Sequence, residues 1–424
     1  MRKFLFVLAA TVLAGGQCAI AAESPYQGSD VGVEGFEGGT YYLYNVSTGS
    51  WLQENNHNPA YWLTHAEIGN VGLDFGLIVT DEALKFQIDP KFGNNHSLVI
   101  DGLWMDTNRP ITIWTATPVE GADGYVYTLT SVNGDKQYTL GIGEDGNISD
   151  VATDGTEWQF VSAEERLAVL KAEADAENPV NATWLVPAAT FNHPVNERVS
   201  AWEKSRNDCC GFGGNNGDIK YNFVFEAWAL GNFTIQQTAE VPNGNYRISA
   251  QGFYSQVDAA AIAAQGESLY NQYIEGTLAN CATFFAGDKT AEIPSIFAEA
   301  QDEAVATEFG LALGNGKYIP QNIWQFSKAV MDGYYKIAEP LEVKVTDGKL
   351  NLGAKVVDAP GAAWFAIDQI SIEYLGDEST GVEENVAAPA AVKGDGKIYN
   401  IMGVEVKNMD QHGIYIVDGQ KILK

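Results

Sequence analysis

Hydrophobic and polar residues alternate one by one over short runs through most of this chain. The alternation is plain at Tyr42-Leu43-Tyr44, Phe86-Gln87-Ile88, Phe233-Thr234-Ile235, Tyr246-Arg247-Ile248, Leu341-Glu342-Val343-Lys344-Val345 and Ile370-Ser371-Ile372-Glu373-Tyr374. A period of two puts neighbouring side chains on opposite faces of a strand, so each run predicts a strand with one buried face. Three stretches depart from that period. Ser162-Ala163-Glu164-Glu165 is a capping box that opens a helix from Ala163 to Ala176, with Leu167 and Leu170 on one face and Asn178-Pro179 as the stop. Ser295 to Phe309, rich in Ala and Glu, predicts a second helix. Pro320 to Met331 predicts a third, with proline at its first position, Ile323, Phe326 and Val330 on one face and Gly333 after its end.

The strands fall into groups. Within residues 40–161, three segments open on an alternating strand (Tyr42-Leu43-Tyr44, Ser97-Leu98-Val99-Ile100, Gln137-Tyr138-Thr139-Leu140). Each closes on another (Phe86-Gln87-Ile88, Tyr127-Thr128-Leu129, Trp158-Gln159-Phe160). A three-fold all-strand unit of about 40 residues that cannot bury its own apolar face predicts a β-trefoil-like domain over 22–161. The opening Gly39-Thr40-Tyr41-Tyr42-Leu43-Tyr44-Asn45-Val46, with Gly49, Trp51 and Leu52, resembles the start of ricin-B-like trefoils of secreted bacterial proteins. That resemblance implies a lectin-like fold.

Residues 162–179 read as a connector helix and 180–376 as a β-sandwich with a helical insertion. Pro242-Asn243-Gly244 and Asp347-Gly348 predict hairpins between its strands. Several stretches here resemble the galactose-binding-like jelly rolls of carbohydrate-binding modules: Phe233 to Gln237, Val241 to Arg247, Gly252-Phe253-Tyr254, Asp347 to Leu350, and Trp364 to Ile372. In some jelly rolls of that family a strand carboxylate at the position of Asp368 holds a structural Ca²⁺, so the resemblance implies Asp368 as a calcium ligand. Residues 377–396, poor in aromatics and rich in Gly, Ala, Pro and acids, read as a linker. Residues 397–424 regain alternation around an Asp418-Gly419 hairpin and predict a small β tail. Its Tyr399-Asn400-x-x-Gly403 start, Gly413-x-Tyr415 strand and terminal Lys424 are similar to type IX secretion sorting domains.

Charge narrows the possible partners. The 424 residues carry 25 Lys+Arg against 55 Asp+Glu, a formal net charge of −30. So acidic a chain does not suit a phosphate backbone or an anionic lipid surface, which excludes nucleic acid and disfavours membrane association. Arg2 and Lys3, then the apolar Phe4 to Gly16 and the small-x-small Ala19-Ile20-Ala21, predict a signal peptide over residues 1–21. Gln17 before Cys18 is not the small residue that lipidation wants. The expectation is therefore export to the cell surface or beyond, with the periplasm as the alternative. No later run reaches the roughly 20 apolar residues of a membrane span. Cys209, Cys210 and Cys281 are an odd set; one bridge from Cys281 to either of the other two is the pairing an oxidising compartment would allow.

Catalytic motifs are sparse. Gly141-Ile142-Gly143-Glu144-Asp145-Gly146 fits a dinucleotide loop in letters, but Asn147-Ile148-Ser149 after it reads as a strand, which makes it a turn. Five histidines stand without an H-E-x-x-H, and no G-x-S-x-G occurs. With the β domains assigned, no segment of about 250 residues is left for a barrel. The chemistry that remains is aromatic, since sugar faces stack on indole and phenol rings while polar neighbours hold the hydroxyls. In the first domain the candidates are Asn58, Trp62 and His65, with Trp62 either a platform or a core cap. In the second they are Trp202, Asn207 and Asp208, just before the glycine-rich Cys210–Asp218 loop, and Trp364, which is core or platform. The expected function is non-catalytic glycan recognition, with a glycoside hydrolase or a structural or adhesive surface protein with protein partners as alternatives. The expected cofactor is none, or a structural Ca²⁺.

Overall fold

The computed structural model describes residues 24–54, 65–91, 97–105, 110–191, 200–213, 224–228, 231–302, 309–377, 397–400, 405–407, 414–417 and 420–423. The chain is mainly β, in two compact units, 1–377 and 378–424. Asn58, Trp62, the signal segment 1–21 and the stretch 378–396 lie outside the described residues.

In the first half, six strands close on themselves. Gly39–Asn45 pairs with Asp74–Val79, which pairs with Lys85–Asp89, then Ile113–Pro118, then Tyr127–Asn133, then Glu157–Val161, which returns to Gly39–Asn45. A closed ring leaves none of those strands as an edge. The predicted alternation is what fills it: Leu43, Phe75, Phe86, Ile88, Trp114, Leu129, Trp158 and Phe160 form one buried cluster. Two of its tryptophans repeat one contact, Trp114 Nε1 donating to the Leu98 carbonyl at 2.8 Å and Trp158 Nε1 to the Leu140 carbonyl at 3.0 Å. Ser97-Leu98-Val99-Ile100 differs from expectation. It is not a strand but one side of a tight reversal in which Val99 bridges Trp104. Asp101 and Leu103, both in the left-handed region at φ 59° and 51°, turn the chain there before pairing can extend.

In the second half, two antiparallel sheets share one apolar cluster that includes Phe225, Ala227, Phe233, Ile235, Ile248, Phe284, Leu352, Ala354, Phe365 and Ile367. One sheet runs Cys210–Gly213, Val224–Trp228, Trp364–Tyr374, Gly244–Ser255, Leu341–Val345; the other runs Glu203–Lys204, Phe233–Glu240, Lys349–Val356, Ala282–Ala286, Lys289–Glu292. Neither expected hairpin forms. The strands flanking Pro242-Asn243-Gly244 lie in different sheets, as do those flanking Asp347-Gly348, so both turns carry the chain across the sandwich. The turns bond to each other instead: Gly348 N donates to Asn243 Oδ1 at 2.8 Å and Val241 N to the Gly348 carbonyl at 3.0 Å.

Three α-helices are bounded among the described residues. Ala163–Glu173 forms as the capping box predicts, with Ser162 Oγ accepting from Glu165 N, but it ends at Ala174, short of Ala176. The third predicted helix starts later than Pro320, at Ile323–Met331, because Asn322 is the residue that caps it. The described part of Ser295 to Phe309 is not helical. Ile296 and Phe297 are drawn into a buried cluster and Ile296 N is held by the Tyr254 carbonyl, so the chain follows the strand edge. The helix lies earlier, over Ala259–Ile274, capped by Asp258 on Ala261 N. It and Ile323–Met331 cover the outer face of the Val224–Trp228 sheet through Val224, Phe253 and Ala366. In residues 378–424, Glu405–Val406, Ile398–Asn400, Ile414–Val417 and Gln420–Leu423 form a four-stranded antiparallel sheet.

One side chain joins the two halves of the first unit. Arg166, on the connecting helix and 3% exposed, puts its guanidinium 4.4 Å from the Tyr42 ring centroid, 3.9 Å from Trp51 and 4.4 Å from Trp184. Its Nη2 donates to the Val71 carbonyl at 2.7 Å. Tyr42 and Trp51 belong to the closed ring and the strand beside it, Trp184 to the sandwich side. Burial pushes the Arg166 guanidinium down to about 9, eased by Tyr42 and Tyr26, so it remains a cation at neutral pH. Gly72, at φ +77°, makes room: a Cβ there would stand 2.8 Å from Trp51 Cβ and 3.1 Å from Arg166 Nη1. A desolvated cation among three rings contributes about 2 kcal/mol or more per favourable contact, and truncation also leaves a cavity. Arg166→Ala should therefore cost about 3 kcal/mol or more, seen in urea as a lower midpoint. Arg166→Lys should recover little of it, because an ammonium cannot present a flat face to rings.

Candidate functional site

Strand parity builds the site. Phe225 and Ala227 point into the sandwich, so Glu226 and Trp228 point out of it. Trp364 stands directly opposite Trp228 across the strand pair. The outer face of the sheet is covered by the two helices, except at this end, where a groove of about 580 Å³ opens. Its walls are Glu226, Trp228 and Trp364 on the strands, Asp258 and Ala259 at the start of one helix, Gln321, Asn322 and Ile323 at the start of the other, and the Gly361–Ala363 turn.

The two indoles differ in role. Trp364 is half-buried, set edge-on against Phe253 at 4.5 Å and 77°, and its Nε1 donates to Glu226 Oε2 at 3.0 Å. Trp228 is 43% exposed. Its ring reaches across the neighbouring strand, where a Cβ on Gly211 would meet Cη2 at 3.8 Å. The absence of a side chain on Gly211 leaves that space to the indole, which also lines the groove. Burial raises the Glu226 carboxyl above its ordinary range, and the Trp364 hydrogen bond partly offsets this. Its Oε1 has no hydrogen-bond partner among the described residues and would lie 3.9 Å from a Cβ placed on Gly213.

The sequence candidates are dispersed. Trp364 is in the groove. Trp202 is 2% exposed, donates through Nε1 to the Ala188 carbonyl at 3.0 Å and packs on Phe191, so it presents no stacking face. Asn207 and Asp208 lie on an exposed turn before the Cys210–Gly213 strand, where Arg206 holds the Asp208 carboxylate by two bonds of 3.1 and 3.0 Å. Cys209, Cys210 and Cys281 carry free thiols, so the expected bridge is not formed. Cys209 and Cys210 lead into an edge strand of one sheet while Cys281 precedes Ala282–Ala286 in the other.

Asp368 is fully buried, with Oδ1 lacking a hydrogen-bond partner among the described residues and Oδ2 accepting from Gln369 Nε2 at 3.4 Å; burial pushes its carboxyl well above the usual carboxylate range. Calcium needs six to eight oxygens from ionised or carbonyl groups. Among the described residues no cluster of three His, Cys, Asp or Glu is gathered.

His65 belongs to a second, polar cavity of about 500 Å³ in the closed-ring half, lined also by Glu67, Gly102, Asn147, Ser149 and Asp150. Its ring lies on Trp104 at 3.5 Å, and Nδ1 is 2.8 Å from the Gly102 carbonyl, which it reaches as a donor. Glu67 is held by Gln53, whose Nε2 donates at 2.7 Å while its Oε1 accepts from Gly72 N. Burial raises Glu67 to about 7, partly offset by that Gln53 bond. The Gly141–Gly146 loop is a turn, as expected, joining Gly141–Ile142 to Ile148–Ser149.

Glu226 and Trp228 are the residues the sequence reading missed. Their signal was there: Glu-x-Trp at the end of an apolar run puts both on the polar face of one strand.

Glu67 gives a pH test. Its folded value of about 7 lies above the ordinary 4.5, so between those pH values the folded state keeps a proton that the unfolded state has lost. Stability should be highest below about pH 4.5 for this group and fall as pH rises to 7. In Glu67→Gln that decline should flatten, measured as urea midpoints from pH 4.5 to 8.

No protein-family model matches the chain, and no curated protein matches it. Among solved structures it is similar to TmCBM61 in complex with beta-1,4-galactotriose, at 12% identity, over 40% of this chain and 86% of that one, with a TM-score of 0.22. An overlap that loose supports no argument about fold or ligand.

Proposed function

We propose that this chain is an exported, non-catalytic carbohydrate-binding protein. In this reading a β-trefoil is followed by a jelly roll with a helical insertion, and the C-terminal sheet acts as a secretion tail. The closed ring of six strands supports the trefoil, and the two sheets joined by crossing turns support the sandwich. The observation that carries the function is the groove lined by Trp228 and Trp364, which stand opposite in register on paired strands, and by Glu226, which holds the Trp364 indole. An open indole offers a face to sugar C–H groups, and a carboxylate beside it accepts from hydroxyls.

A second reading, a glycoside hydrolase, has one observation in its favour. A carboxyl raised by burial, as in Glu226, is what a general acid needs. Its one carboxylate neighbour among the described lining residues, Asp258, has an oxygen engaged in capping its helix.

A glycan array probed with the full chain tests both. Stacking on an indole is worth about 1–2 kcal/mol, so Trp228→Ala should weaken binding about fivefold to thirtyfold with the melting temperature unchanged. Trp202→Ala should instead lower the melting temperature, because it empties a core site. Release of reducing ends by the wild type, abolished in Glu226→Gln, would favour the hydrolase.

A further inference from the structure

We infer that the groove takes an uncharged, hydroxyl-bearing sugar ring and turns acidic sugars away. This rests on the glycan-binding reading and names the ligand class within it. The argument is one of charge. The groove is lined by two carboxylates, Glu226 and Asp258, and by no Lys, Arg or His among the described residues.

Two helices begin at its rim, and helix N-termini normally attract anions through their free N–H groups. Here each helix has one of those groups closed off by its own cap. Asp258 Oδ1 accepts from Ala261 N at 2.8 Å and adds its own negative charge to that helix end. Asn322 Oδ1 accepts from Gln325 N at 3.0 Å. Gln325 in turn folds its Oε1 back onto Gln321 N at 2.7 Å and Gly310 N at 3.1 Å. The Trp364 N–H, another donor an anion could use, is given to Glu226 Oε2.

What the groove offers a ligand is therefore acceptors and an aromatic face. Glu226 Oε1 and the remaining oxygen of Asp258 accept, and ring hydroxyls donate. A uronate or sulfate brought onto Trp228 would set a second anion beside a half-buried carboxylate, where like charges are weakly screened. The net charge of −30 repels such ligands before they arrive.

The test is titration of the full chain with three oligosaccharides of one length: a neutral hexose oligomer, its C6-oxidised uronate form, and an amino-sugar oligomer. The expected result is at least tenfold tighter binding of the neutral form than of the uronate. Glu226→Gln, which keeps an oxygen for Trp364, should narrow that ratio to within about threefold by admitting the uronate. Asp258→Asn, which keeps the helix cap, should narrow it in the same direction and serves if the first variant melts early. Equal or tighter binding of the uronate by wild type would overturn the inference. So would a ratio that neither variant moves, or a tenfold preference for the amino sugar, since charge rather than hydroxyls would then be read. Silence with every oligosaccharide would overturn this inference together with the glycan reading beneath it, whereas uronate binding overturns this inference alone.

Discussion

The first unit depends on a single buried cation. A guanidinium removed from water is costly unless something replaces the solvent. At Arg166 the replacement is a cage of three rings and one carbonyl, drawn from both β halves and reached from the helix between them. The cage forms only when the closed ring and the sandwich are both in place, which couples their two cores. Gly376 sits close against the end of the same helix, placed so that a Cβ would stand 2.7 Å from the Ala174 carbonyl.

The groove follows from a second constraint, the parity of a strand. A sheet packed on both faces reads as nearly continuous apolar sequence, whereas one packed on a single face alternates. Val224–Trp228 does both: Val224 lies under the helices, and two residues on, Glu226 and Trp228 emerge where the helices stop. The insertion therefore covers part of the sheet, and its edge forms the groove wall. The helix starts, set there by Asp258 and Asn322, are what give that wall its polar groups.

Much of this was legible in the sequence, and what was not has particular causes. Phe233–Glu240, Gly244–Ser255, Leu341–Val345 and Trp364–Tyr374 could be read because alternation survives wherever one face stays wetter than the other. Asn243-Gly244 and Asp347-Gly348 announced reversals correctly, but a turn signal specifies how the chain bends and not which strand it then meets. Ala and Glu at Ser295–Phe309 spoke for helix, yet the pull of Ile296 and Phe297 into the core outweighed a propensity worth fractions of a kcal/mol per residue. Trp202 and Trp364 looked alike in sequence. The Ala188 carbonyl and Phe191 near one, and Glu226 with Phe253 near the other, decide which is buried.

The position of the Trp364–Tyr374 strand has a consequence for how the protein is made. It lies between Val224–Trp228 and Gly244–Ser255, so the centre of that sheet is the last part of it to leave the ribosome. Until it arrives, both earlier strands present open edges for more than a hundred residues of synthesis, the situation in which nascent β chains pair wrongly. In the closed ring Gly39–Asn45 likewise waits for Glu157–Val161, but that ring is complete before the first sandwich strand is made. Synthesis thus divides the unit into an early-folding ring and a late-closing sandwich, and the groove, which needs Trp228 and Trp364 in register, comes into being only at that final step.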